Sequence, residues 1–281
     1  MIEIVAAGNE VLLGDVLDTN SNWLCRRVTA LGGQVRRCVL VRDEVEAIAD
    51  ELRAALARRP QLVFTVGGLG PTEDDLTLRG VALATGRLLA LNLEAERLVR
   101  EKYEEFFRSG HVPTPEMNDS RRKMAFLPGG AEPLVNPVGG APGVWLEIDG
   151  CAVVSLPGVP GELRAIVSQS LAPRLTALFG PACYDERSLV VPELQDESVI
   201  AGILSEVDAA HPGVYVKSRA RQFGEARALR ITLSARASDP DELDALLSAP
   251  FEALAQAISA AGFAIADDAG GTDFDAGADE D

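Results

Sequence analysis

Positions 62–66, Leu62-Val63-Phe64-Thr65-Val66, form a β-branched and apolar run without alternation, the pattern of a strand covered on both faces of a parallel sheet. Residues 2–7 open the chain as a first strand that ends in Gly8-Asn9-Glu10. Asp18-Thr19-Asn20-Ser21 is a cluster of helix-capping residues, and the helix it begins places Leu24, Val28 and Leu31 on one face before Gly32-Gly33 stops it. Residues 34–41 read as a second strand and 45–57 as an amphipathic helix behind it. Helices are expected over 76–84 and 94–108, the latter with more polar than apolar positions, as in a solvated cap. Strands 144–148 and 152–156 flank a tight turn at Asp149-Gly150. This succession predicts an α/β domain with a mostly parallel sheet.

Gly180-Pro181 marks the boundary of that domain, taken as residues 1–180. Beyond it the pattern predicts a strand at 187–191, a helix at 197–208, strands at 214–218 and 228–235, and a helix at 240–260, together a small α+β domain over 181–265. The last helix has Asp239 as cap, Pro240 at its first position and Glu242 placed for a capping box, while Pro250 predicts a kink or break. Lys217, Arg219 and Arg221 alternate, so on an extended strand they share one face, as charges guarding a sheet edge do. Residues 266–281 carry seven acidic and no basic side chains, the composition of a solvated, disordered tail.

The 281 residues carry a net charge of −17, which argues against general nucleic-acid binding because phosphate neutralisation needs a basic surface. Cys25, Cys38, Cys151 and Cys183 show no C-x-x-C spacing, so zinc ribbons and thioredoxin chemistry are unsupported and buried free thiols are expected. The N-terminus begins directly with a strand, without a basic leader, and no apolar run reaches the length of a membrane span, so a cytoplasmic protein is expected.

The stretch TVGGLGPTEDDLTLR, Thr65 to Arg79, is where chemistry concentrates. Gly67, Gly68 and Gly70 beyond a parallel strand let backbone amides approach an anion, and Thr72 with the polar residues after it can open a helix whose N-terminus favours phosphate. Asp74 and Asp75 follow at once, and a hard cation such as Mg²⁺ is usually held by one or two carboxylates, waters and substrate phosphates. Acidic residues in a first helical turn also complement the dipole without any ligand. Asp43, at the exit of the second strand, caps the next helix or faces the same crevice. Asn136 to Gly143, with Gly139 and Gly140, reads as a rigid irregular loop suited to close backbone approach. Leu156-Pro157-Gly158-Val159-Pro160-Gly161-Glu162 repeats the strand, glycine and helix-start arrangement, so two anion-favouring helix starts are available for a diphosphate. Glu162 either serves its helix dipole or the site. His111 reads as a surface-loop residue, and Lys123, with Arg121 and Arg122 as alternatives, is placed to meet a phosphate. G-x-S-x-G is absent and only His111 and His211 are available, so a hydrolase triad is unsupported.

GGLGPTEDDLT resembles the signature of the molybdopterin-binding, MoaB/MogA-type domain in its CinA variant, the competence-damage-inducible family. AAGNEVLLGDVLDTNSNWL, the VRDE around Asp43, NPVGGAPGVW and LPGVPGE fall in the expected order, and together these motifs cover about the first 170 residues. Glu10 and Asn20 match the family's E-(L/V)-L and D-T-N-S motifs. The resemblance implies a three-layer α/β/α domain that uses a nucleotide or pterin phosphate, associated in the CinA group with divalent-metal-dependent cleavage of ADP-ribose, the metal being Mg²⁺, Mn²⁺ or Co²⁺. It implies Asp43 and Asp75, with Asp74 as substitute, as metal-holding groups, the 67–72 loop and the Gly158 to Glu162 helix start as phosphate holders, and Glu10 as orienter of a water or ribose hydroxyl. Adenylation of molybdopterin is the alternative chemistry, and a non-catalytic nucleotide-binding protein the third reading. The leucine in Gly68-Leu69-Gly70 departs from the threonine of the pterin enzymes. The amidohydrolase domain of longer members has no counterpart before the acidic tail, and a homodimer or homotrimer is expected from the family.

Overall fold

The computed structural model describes residues 1–180, 183–194, 196–223 and 226–267, with the side chains of 220–227 left aside. It divides into two compact units, residues 1–29 with 33–178, and residues 30–32 with 179–281.

The first unit runs β1 (Ile2–Ala7), α1 (Asn9–Leu13), α2 (Thr19–Ala30), β2 (Val35–Val41), α3 (Val45–Ala57), β3 (Leu62–Val66) and α4 (Thr77–Thr85). It continues through β4 (Leu89–Leu91), α5 (Leu93–Arg108), α6 (Asp119–Lys123), β5 (Phe126–Pro128), β6 (Glu132–Leu134), β7 (Gly143–Ile148) and β8 (Cys151–Leu156). α7 (Pro160–Ala165), a π-helical stretch at Ile166–Leu171 and α8 (Ala172–Phe179) complete it. Pro173 offers no amide to the turn before it, and the widened stretch lies at that turn.

One sheet has the order β2-β1-β3-β8-β7-β6, parallel from β2 to β8 and antiparallel at β7 and β6. Every residue of β3 is buried, as its unalternating run requires. Val5, Val63 and Val153 face one layer with Leu52 of α3 and Val81 of α4. The Asp149-Gly150 turn has φ of 49° and 80°, the paired positive values that a two-residue hairpin needs. β4 pairs with β5 in a separate two-stranded ribbon that the local pattern does not announce.

The second unit holds β9 (Cys183–Pro192), a 3-10 turn at Glu197–Val199, α9 (Ala201–Ala210), β10 (Val214–Phe223), β11 (Ala226–Ala237), α10 (Pro240–Ala260) and β12 (Ala266–Asp267), with sheet order β10-β11-β9-β12. Its strands are longer than expected, and α10 runs on through the buried Pro250 instead of breaking. Asp239 caps α10 by accepting from the Asp241 and Glu242 amides. β10 is an edge strand and carries the exposed Lys217 and Arg219; the side chain of Arg221 lies outside the described residues. Ala266 and Asp267 pair with Val190 and Leu189, so the segment read as tail begins inside the sheet; residues 268–281 and the boundary residue Pro181 lie outside the described residues. Of the cysteines expected to be buried, Cys151 is, Cys25 and Cys183 are partly so, and Cys38 is exposed.

Candidate functional site

The carboxyl ends of β1, β2, β3 and β8 open into one cleft of about 540 Å³. Glu10 and Asp43 enter it from the first two strands, Gly67, Gly68, Gly70, Asp74 and Asp75 from the third, Gly158 and Glu162 from the eighth, and Gly139 and Gly140 from the loop before β7. Crevices at strand ends of this kind are where open α/β sheets bind ligands.

The glycine loop is shaped by what surrounds it. Gly67 has φ +93°, and a Cβ there would fall 2.3 Å from the Ala7 carbonyl oxygen, so only glycine lets β3 leave the sheet beside β1. Gly68 also sits in the left-handed region, against the Thr77 hydroxyl. The amides of Gly68, Leu69, Gly70 and Gly158 donate to no acceptor among the described residues, which leaves them available to an anion. α4 begins at Thr77, one residue from the expected 76, so Thr72, which could also have opened a helix, lies before it. The Asp75 carboxylate accepts from the Thr72 amide (2.9 Å) and hydroxyl (2.6 Å) and closes residues 72–75 into a turn of their own.

Lys123, expected to meet a phosphate, instead donates to the carbonyl oxygens of Thr72 and Asp75 (2.9 Å for the latter), with the Gly70 carbonyl at 3.5 Å. Burial pushes its pKa below the ordinary lysine value. Its neighbour Arg121 is buried, donates to the Thr114 and Glu116 carbonyls, and lies 3.9 Å over the Tyr103 ring, so neither is a free phosphate ligand. His111 is exposed, with its Nδ1 2.6 Å from the Ser109 hydroxyl, as a surface-loop residue should be.

Asp43 does not cap the helix that follows it. Its carboxylate accepts the Asn9 amide at 2.8 Å, so it ties the exit of β2 to the start of α1 while facing the cleft. Burial raises its pKa, and the carboxylates of Glu10, Asp74 and Asp75 raise it further. Asp18 caps α2 through the Ser21 amide, whereas Asn20 reaches across to donate to the Gly158 carbonyl at 2.6 Å. The Asn20 Oδ1 is buried and has no partner among the described residues.

Glu162 belongs to a knot that the sequence pattern does not reveal. Asn136 donates through Nδ2 to the Glu162 carboxylate (2.6 Å) and the Ala141 carbonyl (2.7 Å), and accepts through Oδ1 from the Val138 and Gly139 amides. Burial pushes the Glu162 pKa up. Tyr103 and Phe106 of α5 also line the cleft, ring centroids 5.6 Å apart and edge to face. The helix read as a solvated cap therefore supplies an aromatic wall. Its signal was an aromatic pair three residues apart on a polar helix.

The carboxylates fit a hard cation in one manner only. Among the described residues no three carboxylate, histidine or cysteine side chains close on a point as a ligand set. Asp43 and Asp75 each have one oxygen engaged by the chain and one left over, and the repulsion at Asp43 records a concentration of negative charge. That arrangement suits Mg²⁺-like binding through one or two carboxylates, several waters and a phosphate.

Fold and cleft together define an open α/β protein with a cleft at the carboxyl ends of its parallel strands. Residues 3–177 match the family described as "Probable molybdopterin binding domain", and the chain belongs to that family. A protein of Aeropyrum pernix is 43% identical over 240 residues, 85% of this chain and 86% of the relative. One of Pyrobaculum aerophilum is 42% identical over 256 residues, 91% and 93% of the two chains. Among solved structures, the protein CinA of unknown function from Thermoplasma acidophilum is 34% identical, with a TM-score of 0.55 over 62% of this chain and 96% of its own. The CinA resemblance of the ordered motifs is thus matched in three dimensions. No helix among the described residues is long and apolar enough to cross a membrane.

Proposed function

We propose that the cleft takes a nucleotide or pterin phosphate and that, with Mg²⁺, Mn²⁺ or Co²⁺, the protein hydrolyses the diphosphate of ADP-ribose or a related dinucleotide. One observation carries this reading: the free amides of Gly68, Leu69, Gly70 and Gly158 share a cleft with Glu10, Asp43, Asp74 and Asp75. Amides favour phosphate oxygens, and carboxylates repel them unless a cation stands between. Asp43 and Asp75, with Asp74 beside them, are the groups that would hold it. A divalent cation supplies positive charge against the diphosphate and acidifies water in its shell.

The chain's own residues do the rest. The two glycine loops fix the phosphates, and Tyr103 and Phe106 offer an aromatic wall to a base or pterin ring. Glu10 orients the attacking water or a ribose hydroxyl. The water oxygen bonds to one phosphorus as the bridging phosphorus–oxygen bond breaks, giving AMP and ribose 5-phosphate. The water proton is released to solvent, since Asp43 is engaged in holding the cation. The family description, a molybdopterin binding domain, supports a pterin ligand for residues 3–177.

Product analysis with ADP-ribose, FAD and molybdopterin plus ATP, with each metal and with chelator, tests the reading. Metal-dependent AMP release from ADP-ribose, lost in Asp43→Asn and Asp75→Asn, is expected. Adenylated pterin without ADP-ribose cleavage would replace the hydrolase reading, and saturable binding without turnover would leave a nucleotide-binding protein.

A further inference from the structure

The glycine loop is a wall common to two cavities. Besides the acidic cleft, Gly68, Leu69, Gly70 and Asp75 line a second cavity of about 600 Å³ whose other walls come from α4, the β4–β5 ribbon and α6. Its volume falls within the range of small-molecule sites, and its make-up follows their pattern of an apolar body with a few convergent charged groups.

The apolar part is Leu78, Leu89, Leu91 and Phe126, the last 40% exposed although it stands beside buried Met124 and Leu127. The charged part is Arg79, Arg122 and Lys123, against Asp75 and Asp119. Asp75 is turned to Thr72, Arg122 has a 3.4 Å contact with Glu96, and Lys123 is occupied by loop carbonyls. Arg79 has no partner among the described residues and stands close enough to Lys123 to repel it. In a chain of net charge −17, an unneutralised guanidinium at the mouth of an apolar cavity is the opposite of the charge in the cleft next door.

We propose that this cavity is a second ligand site, distinct from the acidic cleft, for an organic anion with a flat apolar body: the ring lies on the Leu78, Leu89, Leu91 and Phe126 surface, and the anionic group meets Arg79. The site does not depend on the hydrolase reading: the two cavities share the Gly68 to Gly70 wall and Asp75, but Arg79 and the Leu78, Leu89, Leu91 and Phe126 surface line this one and not the acidic cleft. Arginine suits the task, since its planar fork pairs with carboxylate, sulfonate or phosphate oxygens and it holds its charge at every working pH.

The probe is 8-anilinonaphthalene-1-sulfonate, a fused-ring monoanion, titrated into the full chain and followed by fluorescence. Saturable binding is expected, with Kd raised about tenfold in Arg79→Glu, equivalent to about 1.4 kcal/mol, and raised less in Arg79→Lys, which keeps the charge but not the fork. Phe126→Ala should weaken binding, and Phe106→Ala, in the acidic cleft, should leave it unaltered. Arg79 and Phe126 are both exposed enough for these variants to fold, which far-ultraviolet circular dichroism checks. Equal affinity in wild type, Arg79→Glu and Phe126→Ala overturns the proposal, as does loss of binding in Phe106→Ala.

Discussion

The Glu162 carboxylate occupies the space where a side chain at Gly139 would stand: a Cβ on Gly139 would lie 2.0 Å from Glu162 Cδ. The obstacle is the far end of a flexible side chain, so Gly139→Ala is accommodated by pushing Glu162 aside and breaking its bond to Asn136. The loss should be about 1 kcal/mol, the net worth of a typical hydrogen bond. Urea denaturation of Gly139→Ala, Glu162→Ala and the double variant should show non-additivity, because both changes remove the same contact. Additive losses would mean that Gly139 matters for another reason.

Gly67→Ala meets backbone instead. The new Cβ would press on the Ala7 carbonyl oxygen, which cannot move without parting β1 from β3, and φ +93° adds strain. A loss of about 3 kcal/mol or more is expected, in the range reserved for overpacked and strained sites. A urea midpoint near that of Gly139→Ala would show that the loop yields where the sheet was expected to resist.

The contrast between these two glycines shows which parts of the site local sequence encodes. Gly67 and Gly68 were legible because a buried strand ending in glycines has few other uses, and β3, α3 and the Asp149-Gly150 hairpin were legible from period and turn chemistry. The roles of Asn136 and Tyr103 were not, and Lys123 was legible as a residue of the site but not as a holder of loop carbonyls. Asn136 acts through Glu162, 26 residues on, and Lys123 holds carbonyls 48 to 53 residues before it. Tyr103 and Phe106 lie on a helix whose polar majority hides them. The β4–β5 ribbon pairs Leu91 with Phe126 across the whole of α5, and such pairing depends on tertiary context rather than on propensity.

Asp43 should be a residue whose charge costs stability. A carboxyl whose pKa is raised by folding binds its proton more tightly folded than unfolded. Its contribution therefore favours folding below the ordinary carboxylate pKa and is lost as pH rises through the folded value. Asparagine keeps an oxygen for the Asn9 amide without the charge. Asp43→Asn should therefore have a higher urea midpoint than wild type at pH 7, an advantage that disappears by about pH 3, where both forms are neutral. Added Mn²⁺ should raise the wild-type midpoint at pH 7 and leave that of Asp43→Asn in place. A lower midpoint for the variant at pH 7 would contradict this account of the site.

Lys123 holds the acidic turn in place. Lys123→Met keeps the apolar stem and removes the ammonium from the Gly70, Thr72 and Asp75 carbonyls. The cost should be about 1.5–3 kcal/mol, as for hydrogen bonds to a charged group. Amides of residues 70–76 should exchange hydrogen faster, while those of β3 stay protected. Uniform acceleration across the unit would mean that Lys123 supports the whole fold and not the turn.

At the opposite end of β1 from the cleft, Glu3 is buried, and its carboxylate takes both Nε (2.8 Å) and Nη2 (2.6 Å) of Arg58, the residue that ends α3. The pair is asymmetric: the Glu3 side chain is 3% exposed and that of Arg58 33%. Removing Arg58 therefore leaves a carboxylate without its partner in the core edge, whereas removing Glu3 leaves a guanidinium that water and Glu51 can serve. Arg58→Ala should cost about 3 kcal/mol, the lower end for breaking a buried pair, and Glu3→Gln less. Replacing both by methionine should recover most of the loss, since a packed apolar pair avoids desolvating either charge. A double-methionine variant no more stable than Arg58→Ala would contradict this account of the pair.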